Sequence, residues 1–359
     1  MFKLLKTSTK SLARLGRLKT THGEISTPFF MPIATKGAVK NLMPVELKDL
    51  GAEIILSNTY HLWLRPGLKV LNKVKGLHNF MQWPGPILTD SGGYQVFSLT
   101  KLRKISEAGI KFKDPTTGEQ KFLTPELAIK IQQAIGSDIM MALDECPPYP
   151  ATKDYVKKSL ALTERWALRC LAANQKNSRQ QLFGIVQGGI YKDLRQAAAQ
   201  FLADQKFAGY ALGGLAVGEP IKKMYQVLTW TVPFLPADKP RYLMGLGLPE
   251  QIVEAVKRGI DMFDCVIPTR EARHGRLYLW RKSALGKGFY QTINITNAKF
   301  ANNFKPINQT TLKKYSLAYL HHLFKTKEPL AMRLATVNNL DFYLTLMAKI
   351  RQEIKQGKF

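Results

Sequence analysis

Three aspartates stand at the ends of short apolar runs: Asp90 closes "PILTD", Asp144 sits near the end of "DIMMALDE", and Asp264 interrupts "DMFDCVIP". One carboxylate can attack an anomeric carbon and hold it as a covalent ester. A second can then move the proton of the departing or arriving group. Retaining glycosyl chemistry uses such a pair at roughly 5–5.5 Å. Just beyond Asp264 lie Arg270, Arg273 and Arg276, cations suited to phosphate. The acids also admit a metal reading, in which Asp144 and Glu145 join a Mg²⁺ site. Neutral groups accompany them. Gln187 lies in "LFGIVQGG", and Gly213 and Gly214 lie in "ALGGLAVGE". The two glycines either let backbone N–H groups approach a planar ligand or simply permit a tight turn. Tyr94, four residues after Asp90, either covers a base plane or fills the core.

These residues need elements to hold them together. Eight apolar runs recur at 28–34, 53–58, 86–90, 138–145, 182–189, 209–216, 241–247 and 261–268, separated by stretches of helical spacing such as "LTPELAIKIQQAIGSD" and "LPEQIVEAVKRGI". Alternating β and α elements imply parallel strands, and eight units suggest an α/β protein built as a closed (β/α)8 TIM barrel. An open doubly wound sheet is the rival, but no G-x-G-x-x-G follows the first run. In a barrel the C-terminal ends of the strands meet at one face. That would gather Asn58, Asp90, Asp144, Gln187, Gly213, Gly214, Gly245 and Asp264 around one pocket, although each Asp or Asn alone can serve as a helix cap. Residues 1–268 therefore read as the barrel with an N-terminal hairpin. Residues 269–359 read as a small appended subdomain: an antiparallel pair from "RHGRLYLWRKSALGKGFYQTINITNAKF", then two helices broken near "KTKEP".

The chain of 359 residues carries 53 Lys+Arg against 26 Asp+Glu, a net charge of +27. A surplus of this size favours a polyanionic partner, nucleic acid first, unless it reflects a general lysine bias. Cys146, Cys170 and Cys265 are too scattered for a disulfide framework or a cysteine metal knuckle, and suit the reducing cytoplasm. No apolar run reaches the ~18 residues of a membrane span. The basic start "MFKLLKTSTKSLARLGRLKT" has a superficial likeness to a transit peptide but reads better as the hairpin.

Longer blocks carry a resemblance. "SNTYHLWLRPG", "HNFMQWPGPILTDSGGYQVFSL", "DECPPYP", "FGIVQGG", "ALGGLAVGEP", "DKPRYLMGLG" and "RGIDMFDCVIPTR" resemble the bacterial tRNA-guanine transglycosylases, from about residue 12 to the last helix. The resemblance implies exchange of guanine at the wobble position of tRNAs with a G-U-N anticodon for preQ1, on a nucleotide taken out of its loop. It assigns Asp264 as nucleophile and Asp90 as general acid/base. It gives base recognition to Asp144, Gln187, Gly213, Gly214 and Leu215, with Tyr94 and Met244 as the walls. Ser91, Cys146 and Val217 line the same pocket, and Arg270, Arg273 and Arg276 meet tRNA phosphate. It further implies a possible homodimer and no redox cofactor.

Two departures stand out. The family carries a structural zinc bound by C-x-C-x2-C and a later His. Here the matching stretch "PINQTTLKKYSLAYLHHL" has no cysteine, and "LATVNN" puts Asn338 at the histidine position. No tetrahedral zinc is expected, and Leu312, Tyr315 and Leu317 are the residues expected to hold that loop by apolar packing. Glu271 and His274 stand where the family commonly has Asn, and Glu271 is expected to pair with a neighbouring arginine. The rivals are a non-catalytic tRNA-binding relative and, remotely, a metal-dependent barrel enzyme on a phosphorylated metabolite. The archaeal form of the family is disfavoured by the lack of an RNA-binding extension after Phe359.

Overall fold

The computed structural model describes residues 1–99, 103–174 and 179–359. Its centre is an eight-stranded parallel sheet: β1 (Phe29–Met31), β2 (Ile55–Ser57), β3 (Ile87–Thr89), β4 (Ile139–Met141), β5 (Gln181–Val186), β6 (Gly209–Leu212), β7 (Arg241–Leu243) and β8 (Met262–Asp264). Each strand pairs with its sequence neighbours, and β8 returns to β1. The ring closes just past β1, where Leu56 N–H donates to Pro32 O at 3.0 Å and Ala34 N–H donates to Leu56 O at 2.6 Å. Seven of the strands fall within the apolar runs and β5 starts one residue before its run, at Gln181, and the fold is the expected (β/α)8 barrel.

Side chains alternate across each strand because the strand period is two. Met31, Leu56, Leu88, Ile185, Tyr242 and Met262 belong to the interior core, whereas Phe30, Ile55, Ile87, Leu243 and Phe263 join the core under the helices. Strands buried on both faces are why the sequence shows continuous apolar runs rather than alternation. The N-terminal residues form a three-stranded antiparallel sheet (Phe2–Thr7, Arg14–Thr20, Gly23–Thr27) whose Phe2, Leu18 and Ile25 close the bottom of the barrel interior. The basic start of the chain is thus part of the barrel's floor.

A second antiparallel sheet (Arg103–Ser106, Gly109–Lys113, Gln120–Leu123) lies between β3 and β4. It was not expected from the sequence, because its short lysine-rich strands carry only one apolar face. That face is anchored by Ile110 and Phe112 in the main core and by Trp166 Nε1–H, which donates to Glu107 O at 2.9 Å.

After β8 come a short helix (Ile267–Arg273), the antiparallel pair Arg276–Trp280 with Tyr290–Asn294, and two helices, Leu317–Lys325 and Pro329–Lys355. Leu277, Ile295, Phe300, Leu312, Leu320 and Leu334 form a separate core here. The last helix serves both parts: Leu334 and Ala335 pack in that core, while Leu340, Tyr343, Leu346 and Ile350 pack on the barrel. Leu312 and Leu317 are buried as expected. Tyr315 is not: it is exposed and stacks on Tyr319 at 6.1 Å, so packing of the loop falls to the leucines. Among the described residues no helix is long and apolar enough to cross a membrane.

Candidate active site

The same period of two that fills the barrel interior also builds the site. Two residues beyond the inward Leu56, Leu88, Ile185 and Met262 come Asn58, Asp90, Gln187 and Asp264, which must face inward one layer higher. They open on a cavity of about 680 Å³ at the C-terminal face, lined also by Ser91, Tyr94, Asp144, Cys146, Gly213, Gly214, Leu215, Val217, Met244 and Arg270. Every expected base-pocket residue is therefore at this cavity, together with both expected catalytic aspartates.

Asp264 is held by one oxygen. Tyr242 donates its hydroxyl to Oδ1 at 2.5 Å and Gly245 donates its N–H to the same atom at 2.7 Å. Gly245 has φ +74°, a conformation that suits glycine and turns that N–H toward the acid. No donor among the described residues reaches Oδ2. Burial raises the Asp264 pKa, and the Tyr242 and Gly245 donors offset part of the rise. The result is an acid fixed in orientation with a free oxygen facing the cavity.

Asp90 is treated differently. Its carboxylate accepts from the Asn58 amide, from Thr59 N–H at 3.0 Å and from Gly92 N–H at 3.1 Å. Burial nevertheless pushes its pKa up to about 6, with Asn58, Thr59 and Gly92 opposing and the Asp264 charge adding to the rise. A carboxyl poised near neutrality can both give and take a proton.

The opposite wall presents a donor and acceptor edge. Asp144 accepts from Gln187 Nε2 at 2.7 Å and from Ser91 Oγ at 3.4 Å, and burial pushes its pKa up to about 6. Gln187 Oε1 is buried with no partner, so it is free for a ligand N–H. The glycines have a specific purpose. A Cβ on Gly214 would lie 2.4 Å from Gln187 Oε1, and one on Gly213 would lie 2.6 Å from Gln187 Nε2. They make room for the glutamine. Tyr94 is half-exposed over the mouth, and burial pushes the Cys146 thiol up to about 12, so it stays protonated.

Sequence reasoning missed Arg195. In "KDLRQAAAQ" it reads as an exposed helical residue, yet it is fully buried. Its guanidinium donates to Gly189 O at 2.7 Å and to Val186 O and Gly213 O at 2.9 Å, tying the ends of β5 and β6. Tyr242 was missed as well, since nothing local marks an interior tyrosine as a partner of Asp264.

The three arginines separate. Arg270 lines the cavity. Arg273 donates to Thr269 O at 2.9 Å on its own helix, and Arg276 pairs with Glu271 at 3.1 Å. Glu271 also lies 3.5 Å from Arg270, which accounts for the anion among these cations. Neither Arg273 nor Arg276 is among the cavity residues.

Two metal readings can be tested on the side chains. Asp144 and Glu145 do not share a site: Glu145 accepts from the Tyr155 hydroxyl at 2.6 Å, away from the pair formed by Asp144 and Gln187. The residues at the family's zinc position do not fit zinc either. No cysteine lies in 269–359, Asn338 is hydrogen-bonded to Asn308 and to Tyr278 O, and buried His321 faces Ile295 O at 2.7 Å. Among the described residues one His/Asp grouping has ligand spacing: His22, His78 and Asp138, at the bottom of the barrel. Its two rings stack at 3.6 Å and 19°, and each sets a ring nitrogen against the Asp138 carboxylate, His22 at 3.0 Å and His78 at 3.3 Å.

The family profile described as Queuine tRNA-ribosyltransferase matches residues 8–359. Proteins named queuine tRNA-ribosyltransferase are similar throughout. That of Caldanaerobacter subterraneus subsp. tengcongensis is 53% identical over 99% of this chain and 94% of its own length. That of Halothermothrix orenii is 52% identical over the same shares, and that of Staphylococcus aureus strain JH9 is 51% identical over 99% and 92%. With the barrel, the paired aspartates and the donor wall in place, the chain belongs to the queuine tRNA-ribosyltransferase family, the tRNA-guanine transglycosylases.

Proposed function

We propose that the chain exchanges guanine at the wobble position (34) of G-U-N anticodons for preQ1 through a covalent enzyme–RNA intermediate. The observation that carries this is the pairing of Asp264, with its open Oδ2, and Asp90, poised at about 6, across one cavity. Asp264 Oδ2 attacks ribose C1′, the C1′–N9 bond breaks, and the departing guanine takes a proton from Asp90. The incoming base returns a proton to the Asp90 carboxylate as its nitrogen attacks C1′. The ester bond to Asp264 then breaks and the acid is regenerated. One N-glycosidic bond replaces another, so no oxidant, reductant or metal enters the balance.

The Asp144 carboxylate and the unpartnered Gln187 Oε1 suit the N–H edge of guanine or a 7-deazaguanine. Tyr94 and Met244 supply faces on either side of the ring, and Arg270 supplies the cation for a flanking phosphate. Action on tRNA puts the protein in the cytoplasm. A homodimer belongs to the same reading. We take the protein to work without zinc.

The test is exchange of labelled guanine into unmodified tRNA with a G-U-N anticodon, with preQ1, preQ0 and queuine as competitors. Wild-type protein should label the tRNA and form a denaturant-stable RNA adduct. Binding of tRNA without exchange would favour the non-catalytic relative.

A further inference from the structure

The region where the family's zinc would sit holds a group of asparagines that reaches directly into the nucleophile segment. Asn338 and Asn339 on the last helix are fully buried. Asn339 Nδ2 donates to Pro268 O at 3.0 Å and to Arg276 O at 2.9 Å. Its Oδ1 accepts from Tyr278 N–H at 3.0 Å and from Asn338 Nδ2 at 3.1 Å. Asn338 Nδ2 also donates to Tyr278 O at 3.1 Å, and Asn338 Oδ1 accepts from Asn308 Nδ2 at 3.2 Å. Asn308 Oδ1 in turn accepts from Leu312 N–H at 2.9 Å and Thr310 N–H at 3.1 Å, which folds the loop.

A primary amide has two donor hydrogens and an oxygen with two lone pairs, and Asn339 uses all four. A satisfied polar network in a dry interior fixes one geometry, because any shift leaves a buried group unpaired. Amide nitrogens are poor metal ligands, and these oxygens are already engaged. The network therefore does without metal what a tetrahedral ion does by bonds to sulfur and nitrogen.

Its reach is what gives it a function. Pro268 begins the turn of helix that carries Arg270, four residues after Asp264. One turn further along the last helix, the Tyr343 hydroxyl donates to Gly247 O, in the loop whose Gly245 N–H holds Asp264. We infer that Asn338 and Asn339, with Asn308, form a zinc-independent bolt that sets the position of the Asp264–Arg270 segment against the appended unit. Asn339 is thus a positioning residue for the transfer step. This rests on the reading of Asp264 as nucleophile.

The experiment compares wild type, Asn339→Leu and Asn338→Ala in guanine exchange, with guanine affinity measured separately by calorimetry. The base wall hangs on β4–β6, away from the bolt, so guanine affinity should stay within about twofold in the variants. In contrast, kcat should fall about tenfold or more in Asn339→Leu, the scale expected when a reacting group is misplaced. Asn338→Ala, which spares the bond to Pro268, should lose less. If Asn339→Leu does not fold, Asn338→Ala with reduced kcat and unchanged guanine affinity carries the same conclusion. Wild type should contain no stoichiometric zinc, and prolonged chelation should leave its kcat unchanged. An unchanged kcat in the variants, or a wild type that loses activity on chelation, overturns the bolt. Failure of the nucleophile assignment would show separately, as exchange surviving in Asp264→Asn.

Discussion

The two ends of the barrel use the same residue type in opposite ways. At the bottom, Asp261 accepts from Arg14 Nε at 2.9 Å, from Arg14 Nη2 at 2.5 Å and from Arg241 N–H at 2.7 Å. Asp138, also at the bottom, accepts from the backbone N–H of His22 and of Ile87, each at 3.0 Å, and faces both histidine rings. Both oxygens of each acid are spent. At the mouth, Asp264 keeps Oδ2 open and Gln187 keeps Oε1 open. A buried polar atom left without a partner costs free energy, and Gln187 Oε1 is such an atom on the wall of the cavity, where a ligand can supply the missing bond. The floor acids are tied to charged or backbone donors that hold the fold, whereas at the mouth Asp264 keeps an oxygen open and Asp90 and Asp144, held by neutral donors, line the cavity.

Removing Asp90 should have a very large effect at the mouth. Asp90→Asn should lower kcat by about 10²–10⁴-fold, the usual worth of a positioned acid/base, in labelled-guanine exchange. The pH profile gives its sign. The carboxylate form must take the incoming base's proton, so kcat/KM for the base should rise with pH through a value at or below about 6. It lies at or below because the esterified Asp264 no longer repels charge on Asp90. Asp90→Asn should abolish the rise, and a profile unchanged by that substitution would remove Asp90 from the role.

At the bottom, Arg14→Leu should cost about 3–5 kcal/mol in urea unfolding, since it strands the buried Asp261 charge. Activity per folded molecule should be kept. A smaller contrast concerns acid. Burial pushes Asp138 up, but His78, Ile87 N–H and His22 together hold its pKa below 3.8. Its stabilising contribution is therefore present above that value and lost as pH falls below it. Asp90 has the opposite sign: its raised pKa makes its ionisation a burden that grows from 3.8 toward about 6. Acid unfolding followed by circular dichroism should lose part of its steepness in Asp138→Asn.

The smallest expected effect is on binding by charge. Replacing Arg270 by Gln should lower the slope of log affinity for tRNA against log salt by about one unit or less, consistent with one phosphate contact. No change in slope would place that contact elsewhere.

Much of this contrast was legible in the sequence on one side only. The mouth could be read because each parallel strand is a continuous apolar run, and the acid or amide that closes it must lie at the rim. Asp90, Gln187 and Asp264 follow from that rule alone, and the motif blocks added their roles. The bottom could not be read. Arg14 and Asp261 are separated by 247 residues, and His22 and Asp138 by 116, so no local pattern joins them. Arg195 and Tyr242 stayed hidden for a related reason, since their partners are backbone atoms and an acid on other strands. The appended loop shows in the sequence only that it has no cysteine, and the asparagines that occupy it look like ordinary turn and helix residues until their hydrogen bonds are traced.

The most direct test sets two acids three residues apart side by side. Asp264→Asn and Asp261→Asn should be compared for guanine exchange, for the covalent RNA adduct and for urea unfolding. The expected result is that Asp264→Asn loses exchange by on the order of 10⁴-fold or more, forms no adduct, and unfolds like wild type. Asp261→Asn should be clearly less stable, yet exchange normally per folded molecule. An Asp264→Asn protein that still forms the adduct, or an Asp261→Asn protein of full stability that has lost exchange, would contradict the assignment of function to the mouth and stability to the floor.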